Sequence, residues 1–286
     1  MIQLSCCTLI TTILFSGLAL AQVEPEFHSM NDNRHPHYSA KFQGKTYLSG
    51  YLQHPNGSQA AIAVQEQGNN AQTVFARLSK DKSVLVAVYP KITSLTLGGS
   101  EQLFIYGPDF DAINNDFAVN DLAIYDGNSI STLIYPNNDD ADLADQRGKI
   151  TTHIDAVAQY ADGVVLARNS SWSDMEPGQE PGTCYQITFY YLDAKDAVEQ
   201  IGQTNIDCAP CMRVSRSFFD CSGVPQQYIT GMRYQLTKSL STEGQRLLIV
   251  TGRFDQINGI AAKRIETDNL GPSYNYLTWN GSAWRQ

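Results

Sequence analysis

The sequence is poor in charged residues, and the basic ones are the scarcer kind. Of the 286 residues, 17% are charged, with 20 lysines and arginines against 29 aspartates and glutamates, so the formal net charge is −9. An acidic chain is repelled by phosphate backbones and by anionic lipid surfaces, and we therefore expect no nucleic-acid partner. Hydrophobic residues make up 42% of the chain, a proportion that indicates a globular protein.

Long apolar runs are absent beyond the N-terminus. Residues 1–21 contain the uncharged, mostly apolar run 6–20 and end in Ala19-Leu20-Ala21, a small-x-small cleavage pattern. This predicts a signal peptide and a secreted or extracellular mature chain, periplasmic if the source is bacterial. An uncleaved N-terminal anchor is the alternative. No later segment reaches 18 apolar residues, so we predict no membrane span after cleavage.

Cysteine is scarce, and two of the six cysteines would leave with the signal peptide. An even number of cysteines in an exported chain predicts disulfides, although three pairings of the remaining four are open. We predict that these disulfides crosslink a local insertion at about residues 203–227. The segment 208–211 has the Cys-x-x-Cys spacing of thiol-exchange proteins, but no clean helix follows it, which favours structural bridges. The four candidates are Cys184, Cys208, Cys211 and Cys221.

Common enzyme signatures are missing as well. The chain has no Gly-x-Ser-x-Gly, no His-Glu-x-x-His, no Walker loop and no Gly-x-Gly-x-x-Gly before a helix. A glycosidase needs only two carboxylates that face each other across a cleft, so a polysaccharide-acting enzyme stays open. The acidic run 137–145 offers oxygen ligands of the kind that calcium takes, but it lacks the glycine of an EF-hand loop. We predict a solvated loop there and no cofactor, with calcium as the alternative.

The pattern that is present is a series of short apolar runs separated by turn residues. Residues 22–40 are polar and predict a flexible N-terminal arm. From Lys41 onward, segments such as 103–106, 122–125 and 163–167 are rich in Val, Ile, Tyr and Phe, which favours strands. Weak helical character occurs over 193–202, where we consider a short helix.

One part of the sequence occurs twice. The block Phe-Asp-x-Ile-Asn stands at 110–114 and again at 254–258, and each copy follows an apolar run that ends in glycine. A fainter copy spans 47–57, and a degraded one spans 163–193. Glycine tolerates positive φ, and Asn-Gly or Asp-Gly supplies tight turns. The positions with predicted structural roles are Gly50, Asn56, Gly57, Gly107, Phe110, Ile113, Asn114, Asp126, Gly127, Gly252, Phe254, Ile257, Asn258, Gly259, Trp279, Asn280, Gly281 and Trp284.

The repeat predicts an all-β fold. The step from Gly50 to Gly107 is 57 residues, which is the size of a propeller blade of about four strands. We therefore predict a β-propeller-like array of about four four-stranded units over residues 41–286, with the disulfide-bearing insertion inside it.

The C-terminal unit, residues 248–284, resembles the β-propeller repeats of the fungal cortical cell-polarity marker family and the kelch-like repeats of bacterial surface proteins. The shared pattern is an apolar strand, a glycine, Phe, Ile-Asn-Gly-x-x-Ala, and a closing aromatic-Asn-Gly-x-x-Trp. The resemblance implies a propeller fold in an extracellular setting, and it transfers no catalytic residue. The matching positions are Gly252, Phe254, Ile257, Asn258, Gly259, Ala262, Trp279, Asn280, Gly281 and Trp284.

Our leading functional hypothesis is a secreted, non-catalytic binding or scaffold module that presents loops to a protein or a glycan. The alternatives are a secreted polysaccharide-acting enzyme and a cell-surface polarity or cell-wall marker fragment. A facing carboxylate pair would favour the enzyme, whereas a shallow aromatic face would favour binding. Three Asn-x-Ser sequences mark possible glycosylation sites, at Asn56, Asn169 and Asn280.

Overall fold

The described part of the chain is β-structure joined by turns and loops. The computed structural model describes residues 28–29, 38–53, 59–65, 72–76, 90–107, 112–113, 117–118, 121–136, 150–174, 182–195, 197–210, 212–213, 219–220, 227–239, 242–265 and 274–286. The all-β prediction is confirmed for these residues. Within them, no helix has the length and hydropathy needed to cross a bilayer.

The strands form four antiparallel sheets that follow one another along the chain, and we name them units 1 to 4. Unit 1 contains β1 (His28–Ser29), β2 (Tyr38–Phe42), β3 (Lys45–Gln53), β4 (Gln59–Gln65) and β5 (Gln72–Ala76). Unit 2 contains β6 (Lys91–Leu97), β7 (Ser100–Tyr106), the small hairpin β8 (Ala112–Ile113) and β9 (Phe117–Ala118), β10 (Leu122–Tyr125) and β11 (Ile130–Thr132).

Units 3 and 4 repeat this order with additional edge strands. Unit 3 contains β12 (Ile150–Tyr160), β13 (Gly163–Asp174), β14 (Gly182–Leu192), β15 (Val198–Gln203) and β16 (Asp207–Pro210), and it is followed by the separate hairpin β17 (Met212–Arg213) and β18 (Phe219–Asp220). Unit 4 contains β19 (Tyr228–Ser239), β20 (Thr242–Arg253), the hairpin β21 (Gln256–Ile257) and β22 (Ile260–Ala261), β23 (Lys263–Ile265), β24 (Tyr274–Trp279) and β25 (Trp284–Arg285).

Each unit is an up-and-down meander of four main strands, so its connections fall at two ends. The turns from the first to the second strand and from the third to the fourth lie at one end, which we call the tight-turn end. The links from the second to the third strand, and from one unit to the next, lie at the other, the connection end. The loops Gln43-Gly44 and Gly98-Gly99 have positive φ at both residues, the backbone of a type I′ hairpin turn.

The third turn of units 2, 3 and 4 begins with an Asp or Asn whose side chain closes the loop. The Asp126 Oδ1 atom accepts the backbone N–H groups of Asn128 and Ser129, at 2.7 and 2.6 Å. Asn280 Oδ1 accepts those of Ser282 and Ala283 in the same way. Such side-chain bonds to the following backbone are typical of Asx turns.

Unit 3 makes the same turn with one additional residue, and this corrects one expectation. Asp193 Oδ1 accepts the N–H groups of Lys195 and Ala197, at 2.7 and 2.9 Å. The chain then enters β15, which pairs with β14. The short helix considered for residues 193–202 is therefore wrong. Asp193 caps a turn, and pairing with the preceding strand satisfies the backbone that follows.

Electrostatics contribute to the Asp126 turn. Hydrogen bonds from the Ser129 and Asn128 backbones lower the pKa of the Asp126 carboxyl below its ordinary value. Because the pKa is lowered in the folded state, the bonds contribute stability at neutral pH, and this contribution is lost as pH falls through the lowered pKa. The turn is fully exposed, so solvent screens the effect.

Units 2 and 3 are each buried on both faces, because each packs between two neighbours. In β7, Leu103 and Ile105 point toward unit 1, whereas Phe104 and Tyr106 point toward unit 3. In β13, Val164 and Leu166 face unit 2, and Val165 and Ala167 face unit 4. Successive strand residues alternate faces, so a sheet covered on both sides needs an unbroken apolar run. This explains the apolar segments 103–106 and 163–167.

The repeated motif of unit 4 forms hydrogen bonds with β15, the outer strand of unit 3. Asn258 and Gly259 form a turn with both φ angles positive, between the paired strands β21 and β22. Asn258 N donates to Gln203 O, and Gln203 N donates to Asn258 Oδ1, both at 2.9 Å. Asn258 Nδ2 and Trp284 Nε1 both donate to Ile201 O, at 3.3 and 2.8 Å. We call these contacts the clasp.

The apolar members of the same motif fill the layer between units 3 and 4. Phe254 and Ile257 are 2% and 0% exposed, and they belong to the same cluster as Trp279 and Trp284. Gly252 lies in β20 where a Cβ atom would come within 2.2 Å of the Tyr228 carbonyl oxygen, so the close pairing of β19 and β20 requires glycine there. The motif therefore joins unit 4 to unit 3.

The described contacts join unit 1 to unit 2, unit 2 to unit 3, and unit 3 to unit 4. Four successive antiparallel sheets agree with the coarse prediction of an array of about four units. A closed ring is not seen among the described residues. In unit 2, the β8–β9 hairpin stands between the second and third strands, as β21–β22 does in unit 4.

Removal of the Asn258 side chain tests the clasp. Glycine tolerates the φ of 50° at this position, so Asn258→Gly keeps the turn and deletes only the side-chain bonds to Gln203 and Ile201. We expect the free energy of unfolding to fall by about 1–2 kcal/mol. Urea unfolding measures it, with the exposed Asn128→Ala as a control that should change stability by less than about 0.5 kcal/mol. Equal stability of the two variants would refute the clasp.

Candidate functional site

A cleft opens between units 3 and 4 at their tight-turn end, and we call it the seam cleft. Its volume is about 310 Å³. Four separate segments build it: the end of β12, the end of β14, the start of β15 and the turn after β24. The lining residues are Tyr160, Tyr191, Glu199, Gln200, Ile201, Trp279, Gly281 and Ser282.

Three aromatic rings form the floor of the seam cleft. The ring centroids of Tyr160 and Trp279 are 4.6 Å apart, and Tyr191 lies 5.8 Å from Trp279 and 6.2 Å from Tyr160. Tyr160 and Trp279 are 6% and 4% exposed, so nearly all of their surface is buried in core packing. Tyr191 is half-buried. Tilted contacts of this kind hold the rings rigidly. Tyr191 therefore offers the accessible aromatic edge.

The polar rim of the cleft is mainly neutral. Glu199 is the one carboxylate among the residues that line it, beside Gln200 and Ser282. Burial raises the pKa of the Tyr191 phenol, and the negative charge of Asp162 raises it further. The phenol therefore stays protonated well above neutral pH and keeps donating to Asp162 Oδ1, at 3.4 Å. The cleft presents hydrogen-bonding groups and one exposed carboxylate around an aromatic floor.

A second polar cluster is buried higher in the same seam, toward the connection end. Asp155 is the extra residue of a β-bulge in β12, because Ile154 pairs with Arg168 and Ala156 with Ala167. Bulges redirect side chains, and they recur beside functional sites. The Asp155 residue is 9% exposed. A buried carboxylate at a bulge is a candidate for a catalytic group. Its hydrogen-bond partners show whether it is free for catalysis or is used to hold the structure together.

The partners of Asp155 are structural. Asp155 Oδ2 accepts the Ile229 backbone N–H at 3.0 Å and Asn169 Nδ2 at 3.2 Å, and Oδ1 lies 2.9 Å from His153 Nε2. Its backbone oxygen accepts Lys91 Nζ at 2.8 Å. Since Lys91 belongs to unit 2 and Ile229 to unit 4, this one residue ties three units together.

Asp121 is the other buried carboxylate among the residues that the structure describes, and it is also paired. Asp121 Oδ2 accepts Arg168 Nε at 3.1 Å, and the guanidinium carbon lies 4.6 Å from the centroid of the Tyr135 ring. Arg168 projects from the face of β13 opposite to that of Asn169. The two carboxylates therefore serve the two different seams of unit 3, and each is engaged by cationic or N–H donors.

Three amide oxygens near the Asp155 cluster are buried without a hydrogen-bond donor in the described structure: Asn169 Oδ1, Asn205 Oδ1 and Gln227 Oε1. Asn169 Nδ2 donates to Gln227 O, and Gln227 Nε2 donates to Asn205 O, so the three residues form one chain. Buried acceptors of this kind commonly bind ordered water. No cluster of three or more His, Cys, Asp or Glu suited to a metal occurs within the described ranges.

The structure pairs two of the four predicted cysteines. Cys184 in β14 lies opposite Cys208 in β16, and the two form a disulfide. Cys208 is therefore not bonded to Cys211 as a redox pair would be. Cys211 and Cys221 lie outside the described residues, as do the acidic run 137–145 considered for calcium and the predicted signal peptide.

The possible glycosylation sites have different environments. Asn169 is 4% exposed, and its Nδ2 atom already donates two hydrogen bonds, which leaves no room for a glycan in the folded chain. Asn280 is half-buried in the turn at the edge of the seam cleft. Asn56 lies outside the described residues, as do Gly57, Phe110 and Asn114 of the predicted repeats.

Sequence reasoning missed Asp155, Glu199 and Tyr191. No local motif marks them, because Asp155 is defined by a bulge and by a partner 74 residues away. Glu199 lies in β15, whose sequence Val-Glu-Gln-Ile-Gly-Gln does not alternate apolar and polar residues, so no strand pattern marks it.

Substitution of Asp155 tests its role as a tie between units. Asp155→Ala leaves the Ile229 N–H without an acceptor and removes one of the two acceptors of Asn169 Nδ2, so we expect the free energy of unfolding to fall by about 2–4 kcal/mol. Denaturant unfolding measures the loss, and the exposed Asp255→Ala serves as a control that should be nearly neutral. An Asp155→Ala protein as stable as the wild type would show that the Asp155 carboxylate does not hold units 3 and 4 together.

The chain was also compared with known proteins. No protein-family model matches it. Neither the curated proteins nor the solved structures contain a match.

Proposed function

We propose that this chain is a secreted, non-catalytic binding module, and that the seam cleft is a contact surface for a protein or glycan partner. One observation carries the proposal: both buried carboxylates, Asp121 and Asp155, are used to join units, whereas the open cleft combines an aromatic floor with a neutral polar rim. Aromatic and neutral polar groups favour binding over acid–base chemistry.

The fold supports a rigid presentation of such a surface. The cleft lies on three packed aromatic rings, three strand ends and one tight turn, so little conformational entropy is lost when a partner binds. The resemblance of residues 248–284 to propeller repeats of cell-surface proteins agrees with this role. The Cys184–Cys208 disulfide is consistent with an oxidising, extracellular setting.

Closure of the four units into a propeller belongs to the same proposal. Leu48 and Ala63 point away from the layer between units 1 and 2, yet they are 6% and 0% exposed. A sheet face at the open end of an array would be exposed to water, so the burial of this face supports a covering layer from unit 4. A closed ring also removes the need for a partner to protect the ends.

The enzyme alternative lacks its central requirement in the seam cleft. Glycoside cleavage by the usual route needs two carboxyl groups about 5–10 Å apart across the scissile bond. Glu199 is the single carboxylate among the residues that line this cleft. We therefore prefer binding.

Substitutions in the seam cleft test the proposal. The oxidised mature chain is screened against immobilised neutral, acidic and amino polysaccharides and against an extracellular protein array. For the partner found, we expect Tyr191→Ala to weaken binding by about two- to ten-fold, because an aromatic contact contributes about 0.5–1.5 kcal/mol. Glu199→Gln should weaken it by a smaller factor, and titration calorimetry measures both.

Matched controls lie away from the cleft. Tyr38→Ala removes an exposed tyrosine of unit 1, and Asp255→Asn removes a carboxylate at the connection end of unit 4. Both should bind like the wild type. If the cleft variants also bind like the wild type, the seam cleft is not the contact surface. If no partner on either array is retained, the binding proposal fails.

A further inference from the structure

Two Asn-Gly pairs lie in described turns of unit 4, at Asn258-Gly259 and at Asn280-Gly281. Asn-Gly is the sequence in which an asparagine side chain cyclises most readily, because glycine has no Cβ atom to hinder attack by its own backbone nitrogen. Whether a given pair reacts depends on how the fold holds the side-chain amide. The two turns hold this amide in opposite ways.

The Asn258 amide is held by the neighbouring unit. Its Oδ1 atom accepts Gln203 N at 2.9 Å, and its Nδ2 atom donates to Ile201 O at 3.3 Å. The nitrogen that would have to leave is therefore used in a hydrogen bond, and any reorientation of the amide would break the clasp. We expect the fold to protect Asn258.

The Asn280 amide has the reverse arrangement, with its oxygen engaged by its own turn. Asn280 Oδ1 accepts three hydrogen bonds, from Ser282 N and Ser282 Oγ at 3.1 Å each and from Ala283 N at 2.9 Å. Within the part of the chain that the structure describes, neither Asn280 Nδ2 nor Gly281 N makes a hydrogen bond. The leaving nitrogen and the attacking nitrogen are therefore both unengaged.

The three donors assist cyclisation. When Gly281 N attacks Asn280 Cγ, negative charge develops on Oδ1, and donors already directed at that atom stabilise the charge as they do in an oxyanion hole. The bond from Gly281 N to Cγ forms, the bond from Cγ to Nδ2 breaks, and the Gly281 amide proton leaves with Nδ2 as ammonia. Water then opens the five-membered imide at either carbonyl, which gives aspartate or isoaspartate.

The turn keeps its hydrogen bonds when the amide becomes a carboxylate. The equivalent turn of unit 2 has aspartate at this position, where Asp126 Oδ1 accepts the backbone N–H groups of Asn128 and Ser129, and Oδ2 accepts Ser129 Oγ at 2.8 Å. An ionised carboxylate accepts such donors more strongly than an amide oxygen does. An aspartate product therefore fits the turn after β24.

We propose that Asn280 is a site of spontaneous deamidation, and that the reaction places a second carboxylate at the edge of the seam cleft. Gly281 and Ser282 line this cleft, where Glu199 is the single carboxylate among the lining residues. The inference does not depend on the proposed binding function, because it concerns the reactivity of the turn alone.

Peptide mapping of aged protein tests the proposal. The mature, oxidised chain is produced in a bacterial periplasm, so that no glycan blocks Asn280, and is incubated at mildly alkaline pH both folded and in denaturant. Trypsin places the two Asn-Gly pairs in separate peptides, 254–263 and 265–285. Mass spectrometry detects the replacement of the amide nitrogen by oxygen in each peptide, and fragment ions locate it.

The measured quantity is the deamidation rate in the folded chain divided by the rate at the same residue in the denatured chain. We expect this ratio to be about one or higher for Asn280 and about ten-fold lower for Asn258, because the clasp must open before Asn258 reacts. Equal ratios at the two residues, or an Asn280 ratio far below one, would overturn the proposal.

Two serine variants test whether the donors assist the reaction. Ser282→Ala removes one of the three donors to Asn280 Oδ1, so the deamidation rate at Asn280 should fall by about two- to ten-fold. Ser129→Ala removes the equivalent hydroxyl from the turn of unit 2 and should leave the rate at Asn280 unchanged. Equal rates in the two variants would contradict the proposal, because the donors would then play no part.

Discussion

The face-to-face stacking of consecutive sheets is the constraint on which the rest of the structure depends. A single four-stranded meander cannot bury both faces alone, and units 2 and 3 do so only because a neighbour covers each side. At about 25 cal/mol for each Å² of apolar surface removed from water, the three layers supply the main favourable term in folding. The position of every polar feature follows from where these layers begin and end.

The polar residues between neighbouring units fix the position of each sheet relative to the next. Apolar layers are non-directional, so two sheets could slide against each other at small cost. The Asp155 bulge fixes units 2, 3 and 4 through Lys91 and Ile229, and the Asn258 clasp fixes unit 4 on the outer strand of unit 3. Buried hydrogen bonds have narrow geometry, and each is costly to leave unmade.

The arrangement of turns at the end of the sheets also explains where a partner can bind. At the tight-turn end, the loops are short and closed by their own side chains, as Asp126, Asp193 and Asn280 show. The seam cleft forms there because one such turn and the ends of three strands meet around Trp279 without filling the space between them. Glu199 and Tyr191 line that space although they are distant in sequence.

Local chemistry was predictable from the sequence, and long-range geometry was not. Asn258-Gly259 indicated a tight turn because both residues tolerate positive φ, and the structure has both φ angles positive there. The apolar runs 103–106 and 163–167 indicated strands, because Val, Ile, Tyr and Phe favour extended backbone. Unit 3 was hard to recognise because its third turn, at Asp193, has an additional residue and no glycine. The role of Asp155, the Cys184–Cys208 pairing and the seam cleft depend on strand register between distant segments, which composition and spacing do not encode.

Product analysis tests most directly whether the chain binds without catalysis. A polysaccharide retained by the mature chain is incubated with it to equilibrium, and its length distribution and new reducing ends are then measured. We expect an unchanged length distribution and no new reducing ends, because Asp121 and Asp155 are engaged between units and the seam cleft is lined by a single carboxylate. Shorter products from the wild type that disappear in Glu199→Gln would contradict this and would make the cleft an active site.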